Sequence, residues 1–315
     1  MAGLIANEWV KLFKRPGTYV MIGLLLLVVC AFAALSKYEE GKKPEQQDWK
    51  QIVQTENSAY AKQLNEQPEM TADRKEYLEE QIAINEYRLA ENIPLSTSEH
   101  VWSFVEKAGD SLQVAGLFMI IVAGGIVASE YTWGTVKLLL IRPVSRFRIL
   151  FSKYAAVVLF GAFLVSLFFL FSTIVGAALF GLSGEPVHLT FVNGRVVEQN
   201  ILIYLIKLYG MKSVDVVILA TLAFMISAVF RNSSLAIGVS LFLLFTGPNL
   251  TYLLSMRYEW AKYLLFAHTN LLQYETGEVM VEGMTMNFSL LMLAAYFLAF
   301  QFFAFFVFAK RDVAA

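Results

Sequence analysis

Six apolar runs, Gly17–Leu35, Ser111–Ala128, Ala155–Phe180, Ser213–Phe230, Leu235–Leu254 and Phe288–Ala309, leave this chain few ways to fold. Each holds about twenty residues, enough for a helix to cross a ~30 Å hydrocarbon core. Inside that core the backbone must satisfy its own hydrogen bonds, and a helix does so within one segment. With 57% hydrophobic residues over 315 positions, the expectation is an all-α integral membrane protein with six transmembrane helices. The lipid bilayer is its first partner. The first run is too long for a signal peptide, and no small-residue cleavage site follows Leu35, so it is expected to stay as an anchor.

Ahead of that run, Leu4, Ile5, Trp9, Leu12 and Phe13 recur at helical spacing with Glu8, Lys11 and Lys14 between them. This pattern predicts an amphipathic interfacial helix lying on the membrane, and Arg15-Pro16-Gly17 turns the chain inward. Residues 1–35 therefore form an interfacial helix with the first span, 36–110 an insertion, and 111–315 the other five spans. Basic residues set the orientation, because Lys and Arg accumulate on the cytoplasmic side. Lys11, Lys14 and Arg15, then Lys137, Arg142, Arg146, Arg148 and Lys153, then Arg231, Lys310 and Arg311 fall on one side; Arg195, Arg257 and Lys262 fall on the other. Both termini are expected in the cytoplasm of a multi-pass protein of the cell membrane.

The insertion carries sixteen Asp and Glu against nine Lys and Arg and is expected outside. Trp49, Ile52, Val53, Tyr60 and Leu64 share a helical face, Pro68 breaks the run, and Thr71 caps a second helix bearing Leu78, Ile82 and Leu89. An extracellular helical hairpin follows, either a gate over a route or a solvated appendage. Ser98–Lys107 reads as a further amphipathic stretch on the outer leaflet, and Val187–Val197 as a β-hairpin turning at Asn193-Gly194.

Chemistry is scarce. No G-x-x-x-x-G-K-[ST] loop occurs, so the chain is not expected to bind ATP or act as an enzyme. His100, His188 and His268 lack metal-ligand spacing and read as interfacial residues, and the lone Cys30 as packing. Neither a catalytic residue nor a cofactor or metal ligand is assigned, and no nucleic-acid surface is expected. Asp215 is read as a boundary ion pair with Lys212, three residues away. Pro248 and Asn249, which interrupt the fifth run, and Gln301, polar within the sixth, are the candidates for a substrate path or for helix packing.

The segment joining the second and third runs holds most of the remaining signal. Thr135 is placed to cap a short helix, Pro143 to end it and Ser145 to cap the next, while Leu138–Ile141 add an apolar ridge. Together with the six runs and Arg15-Pro16, the pattern Glu130-x3-Gly134-Thr135-x6-Arg142-Pro143-Val144-Ser145-Arg146-x6-Lys153 resembles the type-2 family of ATP-binding-cassette (ABC) permeases, bacterial export branch. That branch includes peptide-antibiotic resistance and sodium efflux permeases. The resemblance implies the membrane-spanning subunit of an ABC exporter, paired with a second permease chain as a homo- or heterodimer. Cytoplasmic ABC ATPase subunits would hold ATP and Mg. A peptide antibiotic, drug, lipid or ion would be the cargo. On that likeness, residues 129–153 form the coupling loop, with Glu130, Gly134, Thr135, Arg142, Pro143 and Arg146 as its coupling residues. Gly134 would permit a tight entry and Pro143 a stiff exit; Arg142 and Arg146 would pair with partner carboxylates or snorkel to lipid phosphate. Two other classes remain: an ion-coupled secondary transporter, which the shortage of charge within the spans disfavours, and a non-transporting membrane sensor or assembly protein.

Overall fold

Arg15 and Pro16 form the first corner of the protein. In the computed structural model, which describes residues 1–42, 48–66, 70–94, 99–135, 144–182, 187–192 and 194–310, helix α1 (Ala2–Phe13) stops and α2 (Pro16–Glu40) starts on the proline. Proline suits a first helical position because the N–H it lacks has no acceptor there. The Thr18 hydroxyl donates to the Leu12 carbonyl at 2.5 Å and fixes the corner.

Six helices are long and apolar enough to cross a membrane: Pro16–Glu40, Val101–Thr132, Arg146–Phe180, Ile201–Phe230, Ser233–Ser255 and Met286–Lys310. Each contains or closely overlaps one of the runs expected from sequence. The second is assembled from α5 (Val101–Ala108), a 3₁₀ turn (Gly109–Leu112), α6 (Gln113–Ile126) and α7 (Ala128–Thr132). At the break between α6 and α7, the Ala128 N–H donates to Ser227 Oγ at 3.0 Å, so a side chain from another helix supplies the acceptor. The remaining spans are α8 (Arg146–Phe180), α9 (Ile201–Phe230), α10 (Ser233–Ser255) and α11 (Met286–Lys310). Buried faces of α6 and α9 make the centre, while α2, α10 and α11 expose large apolar side chains such as Leu27, Phe242 and Phe302.

Successive spans alternate in direction. Helix α1, the connection from α7 to α8, Arg231 and Lys310 therefore share one end of the bundle, the Glu8 end. The other carries α3 (Trp49–Glu66), α4 (Ala72–Ala90), the strands β1 (Val187–Val192) and β2 (Arg195–Asn200), and the connection 256–285. Helices α3 and α4 pair as a hairpin, with Val53 and Leu78 buried between them and the Asn85 amide donating to Asn57 Oδ1 at 2.9 Å. Thr71 caps α4 as expected, accepting from the Arg74 N–H at 3.4 Å; Pro68 lies outside the described residues. Strands β1 and β2 are antiparallel with Val192 opposite Arg195, and Gly194 takes φ +79°. The two-residue turn is the one expected, although Asn193 is outside the described residues, and the architecture is thus mostly rather than wholly helical.

Three expectations change. Helix α1 buries Glu8 and Leu12, and Trp9 and Phe13 pack edge-on against Phe160 and Phe163 of α8, so part of the helix's apolar face meets protein, while Leu4 and Ile5 stay half-buried. The stretch expected to rest on a leaflet is instead α5, with Val101, Phe104, Val105 and Ala108 all buried. His100 and Ser103 form a reciprocal cap that launches α5 straight into the bundle. His268, expected at an interface, is fully buried, with its Nδ1 2.7 Å from Ser289 Oγ. Burial holds its imidazole below the usual pKa.

Candidate functional site

A lysine cannot be taken out of water cheaply unless carboxylates meet it. Lys153, near the start of α8, is only 2% exposed, and its Nζ lies 2.8 Å from Glu8 Oε2 and 2.8 Å from Glu130 Oε1. Lys11, one turn along α1, closes the cluster at 2.9 Å from Glu8 Oε1 and 3.3 Å from Glu130 Oε1. Two cations and two carboxylates balance. Burial opposes the charged form of Lys11, yet the Glu8 and Glu130 carboxylates hold its ammonium above the ordinary lysine value. The Thr135 hydroxyl adds a short hydrogen bond to the second oxygen of Glu130.

The cluster joins three elements. Helix α1 brings Glu8 and Lys11, the end of α7 brings Glu130, and α8 brings Lys153, so both roots of the α7–α8 connection are fastened to the N-terminal helix. Around it, Arg15 lies over the Trp133 ring at 5.4 Å and Arg231 over the Tyr131 ring at 4.6 Å. Trp133 is 64% exposed. Gly134 takes φ +68°, a conformation that side-chain-bearing residues rarely adopt.

Of the candidate loop residues, Glu130, Gly134 and Thr135 come together at this cluster. The Thr135 hydroxyl donates to Glu130; the short helix it is expected to cap, with Arg142 and Pro143, falls outside the described residues. Ser145 caps α8 as expected, accepting from the Arg148 N–H at 3.4 Å. Arg146 is drawn elsewhere, donating to the Ala309 carbonyl at 3.0 Å and so tying the start of α8 to the end of α11. Glu8 and Lys11 had read as the polar face of an amphipathic helix. Nothing local distinguishes them, because their partners lie on other helices.

The path residues do not assemble. Asn249 bonds back along its own helix, its amide donating to the Phe245 carbonyl at 3.0 Å. Gln301 faces Tyr154, whose hydroxyl is 2.8 Å from Thr221 Oγ1, toward the Glu8 end. Pro248 alone lines a cavity, at the hairpin end. The expected Lys212–Asp215 pair is not formed either: Lys212 pairs with Asp110, and Asp215 faces Thr269. Among the described residues no three His, Cys, Asp or Glu gather at metal-binding distance.

Fold and site together define a multi-pass helical membrane protein in which a buried charge cluster fastens both roots of a connection to the N-terminal helix. The chain belongs to the DUF2705 family, whose model, described as "Protein of unknown function (DUF2705)", matches residues 76–314. It is 46% identical over 317 residues to "Uncharacterized protein YhcI" of Bacillus subtilis (strain 168), across 100% of both chains. It is also 31% identical over 196 residues to "Uncharacterized membrane protein YdbK" of the same organism, across 62% of this chain and 76% of that one. These matches correct the resemblance to type-2 ABC permeases: the family found is a different one, and no permease family matches. The assignment as an ABC exporter subunit falls with it. The physical reason is local. Gly134 serves a left-handed turn and Ser145 an N-cap, devices common to connections between helices of unrelated proteins, so the motif marks loop geometry and not ancestry.

Proposed function

We propose that the protein is a non-enzymatic membrane subunit that works by movement, receiving a cytoplasmic partner on the α7–α8 connection and passing displacement to its spans. The observation that carries this reading is Lys153 held between Glu8 and Glu130. Both roots of the connection are pinned to α1, so a push on the loop reaches three helices with little slack. The basic residues of the Glu8 end favour placing it in the cytoplasm. The partner proposed is a separate chain that hydrolyses ATP with Mg, a reaction for which this chain carries no phosphate loop of its own. A second copy of this chain would complete the assembly.

Orientation is tested first. In a Cys30→Ser background, a cysteine at the exposed Ser58 of α3 should react with a membrane-impermeant thiol reagent in intact cells, and one at the exposed Arg148 of α8 should not. The opposite labelling would invert the protein and remove the loop from the cytoplasm.

The partner is tested by tagging the chain in its native membrane and assaying the solubilised, purified material for Mg-dependent ATP hydrolysis. Activity should accompany the wild type. Gly134→Pro, which cannot hold φ +68°, and Trp133→Ala should each lose most of it at normal membrane levels. Arg88→Glu in α4 should keep it. Hydrolysis absent from the wild type, or equal in all four, would end the proposal.

A further inference from the structure

At the end opposite the charge cluster, the connection 256–285 folds back between α9, α10 and α11 and leaves a cavity of about 560 Å³. That is within the range of small-molecule sites, roughly 300–1,000 Å³. Leu219, Leu244, Pro248, Phe266 and Met280 give it apolar walls. Its charged lining is Asp110, Lys212, Asp215 and Glu278. Lys212 is committed to Asp110, and Glu278 to Arg74 of α4 at 3.3 Å. Asp215 is left. A hydroxyl, Thr269, faces it, and among the described residues no lysine or arginine lies within salt-bridge distance of it.

We infer that this cavity binds an amphipathic organic monocation, with Asp215 as the counter-charge and the apolar walls around the cation's body. A half-buried carboxylate set against apolar walls is stabilised in its charged form by a positive charge, and the nearest lysine, Lys212, pairs with Asp110 instead. An anion would meet three carboxylates against one lysine. A bare divalent ion would need six or more oxygen ligands, or its own water shell, against walls that are mostly hydrocarbon. A cation with an apolar body satisfies both the charge and the lining. Helix α4 reaches the rim of the site: Arg74 Nη1 donates to the Thr276 carbonyl at 3.2 Å and to Glu278 Oε1, and Thr276 and Glu278 are both wall residues. The site does not require a partner on the α7–α8 connection, so it stands or falls apart from the proposed function.

The test is equilibrium binding of radiolabelled tetraphenylphosphonium to the purified full chain in detergent, with tetraphenylborate as a probe of the same shape and opposite charge. The wild type should bind the cation saturably and the borate far more weakly. Asp215→Asn should weaken the cation by about thirtyfold or more, the loss expected when one member of a desolvated charge pair is neutralised. Met280→Trp, which keeps every charge but fills the cavity, should abolish binding; if Asp215→Asn does not yield monodisperse protein, this variant and the borate comparison decide. Equal binding of the two probes by the wild type, or cation binding unchanged in Met280→Trp or in monodisperse Asp215→Asn, would overturn the site.

Discussion

Lys153→Met should lower stability by about 3–5 kcal/mol, the range for removing one partner of a buried ion pair and leaving the other charged. Glu8 and Glu130 would then face each other with only Lys11 between them, and Lys11 is 39% exposed at its side chain. Thermal unfolding of the purified protein, followed by loss of its monodisperse peak, reads the effect directly. The double variant Glu8→Gln/Lys153→Met should recover more than half of the loss, because one stranded carboxylate goes with the lysine. Two distant single changes would instead add. A melting temperature unchanged in Lys153→Met would mean that the cluster is solvated in the working protein, and the pinned-loop argument would lose its basis.

Part of that cluster was visible in the sequence and part could not be. Apolar runs of the right length expose the spans, and side-chain caps at Thr71 and Ser145 follow from residues three apart, so both are local signals. Glu130 and Lys153 were marked as the bounds of an important loop. Glu8 was not: it sits among polar residues of a short helix, and its partner Lys153 is 145 positions away. The same limit applies at the hairpin end. Lys212 and Asp215 are one helical turn apart, which suggested a pair, but Asp110 from another element takes the lysine. Periodicity shows which face of a helix is apolar, and only packing decides whether lipid or protein covers it. Helix α5 went to protein, and α1 in part.

The connection 256–285 was the least legible segment, having no period, one buried histidine and three short 3₁₀ turns. Its placement depends on a contact that sequence hides, the Phe266 ring lying across Gly247 of α10. A methyl group at Gly247 would stand 2.3 Å from Phe266 Cε2, well inside contact distance. Gly247→Ala should therefore cost about 1–3 kcal/mol through overpacking, and Gly247→Val more, because a second branch meets the same ring. The glycine-to-alanine change would by itself favour the helix, so destabilisation here can come only from the collision. Phe266→Leu placed on top of Gly247→Ala should return much of the loss, and the coupling between the two sites is read from a double-mutant cycle of thermal unfolding. Additive losses would show that the ring does not rest on α10. In that case the folded-back connection, and the cavity wall that Phe266 and Pro248 form together, would have to be redrawn.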